Sequence, residues 1–285
     1  MRILLTGATG LIGRAVLSQL LDAGHDVTAV VRSTASADAV AAAGATPLEG
    51  DLFDSAWVAE ALTGVDAAIH TAAGSDADDA RLNDAVIDAA IRSFAGTDRP
   101  FVHTGGVWTH GSGAAITEDT PQDPPAITAW RVAGERRLLD SGVRAAVVRP
   151  GIVYGHGGGI PAMTLVQGPR DDDGRLVLVG TGEQHWTTVH VDDLAELYLR
   201  IVEQGATGAF LGTGPDSPTV RALGEALGPV VAGSAEEAAS RFGGPFAEAL
   251  LLDQQAAGSR GLELGWTPRR PSLLDLLGRG YPAED

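Results

Sequence analysis

Residues 4–16 read LLTGATGLIGRAV, a short apolar run followed by glycines at 7, 10 and 13 and then by residues with helical spacing. Gly-x-x-Gly-x-x-Gly between a strand and a helix has a physical purpose. The first glycine permits a tight turn, the second lets backbone N–H groups approach a pyrophosphate, and the third lets helix and strand pack closely. The helix N-terminus then faces the anion. The pattern of the rest of the chain decides whether the triplet is more than a tight turn. Segments 2–7, 26–32, 45–51, 66–73, 100–106 and 143–151 read as strands built on short apolar runs that do not alternate with polar residues, as in parallel strands covered on both faces. Helical segments are expected over 11–23, 36–43, 54–62, 77–95 and 128–141, with Gly24, Gly44, Gly64, Gly96 and Gly142 at or just past their ends. This alternation predicts an α/β fold: a doubly wound, mostly parallel Rossmann sheet.

Beyond Tyr154 the pattern changes to loops, a short strand near 176–179, an amphipathic helix within 185–205 and a strand over 208–214. Further helices are expected over 218–227, 234–241, 245–257 and 272–279. The expected division is therefore a nucleotide-binding domain, 1–155 plus 186–214, and a small C-terminal substrate lobe, 156–185 plus 215–285. Apolar residues make up 44% of the chain and charged ones 20%, an ordinary globular composition. A net charge of −17 opposes binding to duplex nucleic acid or to an anionic membrane. With no cysteine there is no disulfide or thiolate metal site, and no metal-ligand spacing such as HExxH occurs. The apolar run at the N-terminus is too short for a signal peptide, so a soluble cytoplasmic protein with a small-molecule substrate is expected, as monomer or homodimer.

About 20 residues beyond the glycine loop, an acidic residue would hold the ribose 2′-hydroxyl of NAD. Here the second strand ends in Arg32-Ser33-Thr34 instead. Arg32 can pair with a 2′-phosphate and Ser33 can add a hydrogen bond, which favours NADP; an exposed strand-end arginine is the plainer alternative. Asp51 and Leu52, after the third strand, are placed to reach an adenine ring, although Asp51 equally suits a turn or cap.

TGATGLIG, GDLFD, HTAAG, RPGIVYGHGGG, HVDDLAELY and ELGWTPRRPSLLDLL occur in that order along nearly the whole chain. Together they resemble an extended or atypical short-chain dehydrogenase/reductase, with the NAD-dependent epimerase/dehydratase branch the nearest in look. The resemblance implies a seven-stranded Rossmann core. It also implies cofactor contacts from Gly7, Thr9, Gly10, Leu11, Ile12 and Gly13, from Asp51, from Thr71, Ala72 and Ala73, and from Pro150 and Val153 beside the nicotinamide. His190, Asp192 and Asp193 match a motif whose usual role is structural.

Members of this family that perform hydride chemistry usually carry Tyr-x-x-x-Lys on the helix after the fifth strand. Aligned through Glu135, those positions fall on Ile127 and Arg131. All 20 basic residues of this chain are arginine, and its tyrosines are Tyr154, Tyr198 and Tyr281. Isoleucine transfers no proton, and arginine at neutral pH orients ligands without shuttling protons. The remaining catalytic candidates are Thr104, Arg131 and Tyr154; Thr104 would hydrogen-bond a carbonyl oxygen, or else satisfy a strand end. Trp108, His110, Trp130, His156 and His185 are candidate substrate contacts, the tryptophans equally suited to packing and the histidines to silent loop positions. An NADP(H)-dependent oxidoreductase acting on a small carbonyl compound is the leading expectation. A non-catalytic NADP-binding sensor or scaffold, and an epimerase or dehydratase, are the alternatives.

Overall fold

A computed structural model describes residues 1–74 and 78–282. The chain divides into two compact units. The first comprises residues 1–105, 130–148 and 195–210; the second comprises 106–129, 149–194 and 211–285. Residues 106–129, 149–155, 186–194 and 211–214, which the sequence grouped with the nucleotide-binding half, thus fall in the second unit. Residue 77, the expected start of a helix, and residues 283–285 of the expected lobe lie outside the described residues.

The expected sheet is present. Its strands are β1 (Arg2–Thr6), β2 (Asp26–Val31), β3 (Thr46–Glu49), β4 (Ala67–His70), β5 (Pro100–Thr104), β6 (Arg144–Pro150) and β7 (Gly208–Gly212), in the spatial order β7-β6-β5-β4-β1-β2-β3. Pairing is parallel from β3 through β6, so β1 and β4 are neighbours from which the order runs outward in both directions. That reversal is the switch point outside which open α/β sheets bind ligands.

Strand side chains alternate between faces, and each face is covered by helices. On one face α3 (Ser55–Ala61), α4 (Asp79–Phe94) and α5 (Ala129–Leu139) bring Val58, Val86 and Leu138 onto Leu4, Ala68 and Phe101. Within the first unit α1 (Leu11–Asp22) buries Val16, Leu17 and Leu20, and α6 (Val191–Gln204) buries Leu197, Tyr198 and Ile201. The connecting helix α2 is Thr34–Ala42, two residues earlier than expected because the Ser33 hydroxyl caps it by accepting from the Ser36 N–H. Gly24, Gly44, Gly64, Gly96 and Gly142 all have φ between +73° and +102°, the left-handed turn that ends a helix most cheaply at glycine.

The second unit contains more strand than its sequence suggests. Ile152–Gly155 pairs in parallel with Thr188–His190 and folds back antiparallel on Gly158–Gly159. Leu176–Val177 pairs with Val230–Val231, and Gln254–Ala256 with Gly113–Ile116. The helix expected over 245–257 stops at Leu250. Past that point Gln254 is buried, and its amide donates to the carbonyls of Val107 and Gly111. Those tertiary bonds override the helical propensity of the run. Asp193 ties down the C-terminal segment by accepting the backbone N–H groups of Arg269 and Arg270, each at 3.0 Å. Among the described residues no helix is long and apolar enough to cross a membrane, and no cluster of metal-ligating side chains occurs.

Candidate functional site

The glycine loop is shaped by the space around it. Gly7 has φ +76°, and a Cβ there would collide with the Thr71–Ala72 backbone. A Cβ on Gly13 would strike the Gly7 carbonyl and the Thr71 hydroxyl. Gly10 is the N-cap of α1 and has no side chain to cap it, so the first-turn N–H groups are donors suited to an anion. A dinucleotide needs this cradle, and the residues present fit one. Thr9 and Gly10 are exposed, and Leu11 and Ile12 are half-buried at the helix start.

Arg32 follows β2, exposed, with no hydrogen bond or ion pair to another described residue. Ser33 beside it is engaged in capping α2 and donates to the Ser36 hydroxyl at 3.1 Å. The Asp51 carboxylate accepts the Phe53 N–H at 2.9 Å, a local turn bond that leaves its second oxygen without a partner among the described residues, and Leu52 is buried. Thr71 donates both its hydroxyl, at 2.8 Å, and its backbone N–H, at 3.2 Å, to the Thr6 carbonyl, which anchors the 71–73 turn to the end of β1. Ala72 N–H reaches the Thr6 hydroxyl at 3.4 Å, and Gly74 N–H donates to Asp79.

Thr104 ends β5. Its hydroxyl oxygen lies 2.7 Å from the His70 carbonyl oxygen and 2.7 Å from the Tyr198 hydroxyl. Arg131, in the first turn of α5, donates to the Thr104 carbonyl at 3.3 Å and lies 3.9 Å from the Asp79 carboxylate. Its guanidinium carbon sits 4.3 Å from the centre of the Trp130 ring, so Trp130 stacks on a neighbour in its own helix. Burial lowers the Arg131 pKa and Asp79 opposes the fall, so the side chain stays a fixed cation. Ile127 lies in the turn before α5.

The remaining candidates belong to the second unit, where Pro150 is buried and Val153 half-buried. Tyr154 is buried; its hydroxyl donates to the Pro271 carbonyl at 2.9 Å and its ring meets His190 edge-on. Trp108 packs edge-on against Phe246 at 5.7 Å. His110 is 3% exposed, unlike a surface loop histidine: Nδ1 donates to the Thr120 carbonyl at 3.0 Å, and Nε2 lies 3.3 Å from Arg149. Burial, and then the Arg149 charge, lower its pKa and keep the ring neutral. His156, at φ +49°, bonds Asp192 through Nε2 at 2.8 Å. His185 bonds Asp253 through Nδ1 at 2.8 Å.

Three groups escaped the sequence reading as site residues: His70, Asp79 and Tyr198. The signal for Tyr198 was its scarcity, since a chain with three tyrosines and no lysine has few proton-bearing side chains of this kind. No local pattern points to Asp79, because its partners Gly74 and Arg131 are set by the fold.

A glycine cradle at the β1–α1 junction, beside the switch point of a parallel sheet, defines a dinucleotide-binding Rossmann protein. Residues 7–204 match the NAD(P)H-binding family, and the chain belongs to it. The relationship to atypical short-chain dehydrogenases/reductases and the epimerase/dehydratase branch holds. An uncharacterized protein of Schizosaccharomyces pombe is 31% identical, over 99% of this chain and 100% of that one. The 2-alkyl-3-oxoalkanoate reductase of Stenotrophomonas maltophilia is 30% identical, over 84% of this chain and 79% of its own. A crystal structure of human epimerase family protein SDR39U1 with NADPH has the same fold, with a TM-score of 0.77 at 24% identity and 99% coverage of both chains.

Proposed function

We propose that the chain is an NADP(H)-dependent oxidoreductase acting on a small carbonyl or related compound, with no nucleic-acid or membrane partner. The observation that carries the reading is Arg32, an exposed guanidinium without a partner among the described residues, where NAD-selective sites place an acid. The NADPH in the human relative's structure and the reductase name of the Stenotrophomonas relative favour the same choice. When bound, the cofactor supplies a hydride to the substrate carbon.

The chain's own residues do the rest. Gly7 to Gly13 and the start of α1 hold the pyrophosphate, Arg32 the 2′-phosphate, and Asp51 and Leu52 the adenine edge. The backbone of Thr71–Ala73 supports the dinucleotide. Arg131 orients the ribose as a fixed cation, and Thr104 holds a substrate oxygen. Orientation of this kind supplies much of the barrier reduction in hydride transfer, so loss of the Tyr-Lys pair lowers the rate without abolishing it.

The test has two stages. Fluorescence titration should give tighter binding of NADPH than NADH by about tenfold, the worth of one charge-assisted contact. Stopped-flow oxidation of NADPH against a panel of ketones and aldehydes should then show turnover. Tight binding with no turnover on any of them would favour the second reading, an NADP-binding sensor, which rests on Ile127 in place of the tyrosine.

A further inference from the structure

Tyr198 lies on the packed stripe of α6 with no exposure, the place of an ordinary core aromatic. A phenylalanine would fill the same apolar space. Its hydroxyl therefore needs a reason, because a buried phenol without a partner is costly. The partner is Thr104, half-buried at the carboxyl end of β5.

The direction of the two bonds follows from proton counting. The His70 carbonyl only accepts, so the single Thr104 proton goes to it. Tyr198 must then donate to Thr104, filling one of its two lone pairs. Chained hydroxyls polarise one another, so Thr104 is a stronger donor than an isolated threonine. Burial pushes the Tyr198 pKa well above that of an ordinary phenol, so the group keeps its proton and acts as a donor, not as an acid. Arg131, on the Thr104 carbonyl, is the charged group that opposes that rise.

We propose that Tyr198 is a positioning residue that fixes Thr104 as a hydrogen-bond donor toward an acceptor oxygen of the substrate. The inference rests on the carbonyl reading above and adds a residue that acts through Thr104. A ketone or aldehyde oxygen accepts the Thr104 proton as it swings from the His70 carbonyl.

The test combines Tyr198→Phe, Thr104→Val and the double variant with a spectroscopic readout on the protein alone. In the wild type, proton NMR should show a slowly exchanging Tyr198 hydroxyl with a nuclear Overhauser contact to the Thr104 methyl. Its absence overturns the inference without any variant. In turnover, Tyr198→Phe should lower kcat about tenfold, the effect of one misplaced hydrogen bond, with NADPH affinity unchanged. Added to Thr104→Val it should cost nothing further, because it acts through Thr104. Wild-type turnover with Tyr198→Phe at full rate, or additive losses in the double variant, sinks the inference and leaves the carbonyl reading standing. No wild-type turnover on any carbonyl sinks both. Should Tyr198→Phe not fold, Thr104→Ser must retain the hydroxyl contact and the rate, and Thr104→Val must lose both; equal rates in the two refute the proposal.

Discussion

His70 and His103 stack in adjacent strands, ring centroids 5.4 Å apart and planes 17° from parallel. Sheet register puts Thr6, His70 and His103 in one row across β1, β4 and β5, on the face that also buries Leu4, Ala68 and Phe101. His70 Nε2 faces the Asn83 Oδ1 at 3.3 Å, and the Asn83 amide is oriented by donating to the Asp79 carbonyl. That assigns the proton to Nε2 and makes Nδ1 the acceptor from the Thr6 hydroxyl at 2.6 Å. His103 Nδ1 has no partner among the described residues.

The first prediction concerns acid. Burial, with a contribution from Arg131, holds the His70 pKa down to about 4, and burial holds that of His103 well below the usual value. Both stay neutral when folded, while the unfolded chain protonates them near pH 6.5. Their stabilising effect is complete above that pH and is lost as pH falls toward 4. For His70 alone the loss is roughly 3 kcal/mol by pH 4. Urea midpoints measured from pH 7.5 to 4.5 should fall steeply, and His103→Leu should flatten the slope. A flat wild-type profile would refute the assignment.

Arg131 gives a second prediction through the same pair. Its charge depresses both histidine pKa values and also acts on the Tyr198 phenol. Arg131→Met should raise the pKa of His70 and of His103, read by the pH dependence of their ring carbon resonances. Cofactor affinity should fall in the same variant. Unmoved titration curves would place the Arg131 charge elsewhere than against this face.

Much of this layout is legible in the sequence, for identifiable reasons. Short apolar runs without polar alternation marked the parallel strands, and glycines at helix ends marked where each helix turned back. Nothing in DAAIHTAA or PFVHTGG shows that His70 and His103 lie side by side, because register between strands is set by the whole sheet. The stripe containing Leu194, Leu197, Tyr198 and Ile201 identifies a buried face but cannot name Thr104, 94 residues away, as the partner of its hydroxyl. The second unit is the least legible. Its strands of two to four residues pair across long separations, as Gln254–Ala256 does with Gly113–Ile116, and too short a run shows no period.

Gly13 yields a third prediction, about space and not backbone freedom. A Cβ at this position meets the Gly7 carbonyl and Thr71, which are backbone or tightly held groups that have nowhere to move. Gly13→Ala should therefore force α1 away from β1, at a cost of roughly 1–3 kcal/mol by the usual penalty for overpacking. NADPH binding should be lost along with a lower thermal midpoint. Gly24→Ala is the control: it has φ +78° but nothing within 4 Å of the added carbon, so only conformational strain applies and binding should survive. Retained NADPH binding in Gly13→Ala would contradict the cradle.

Arg32 carries the cofactor choice, and reversing its charge gives the last prediction. The side chain is exposed and makes no hydrogen bond or ion pair with another described residue, so its replacement should leave stability within about 0.5 kcal/mol. Arg32→Asp removes the partner of a 2′-phosphate and puts a like charge in its place, while supplying the carboxylate that holds a ribose 2′-hydroxyl. NADPH affinity should fall about ten- to a hundredfold, the worth of a charge-assisted hydrogen bond, and NADH affinity should hold or rise. Because folding is untouched, any change in the NADPH-to-NADH ratio reads the 2′ position directly. Calorimetric titration of both cofactors gives that ratio, and an unchanged preference would remove Arg32 from the site.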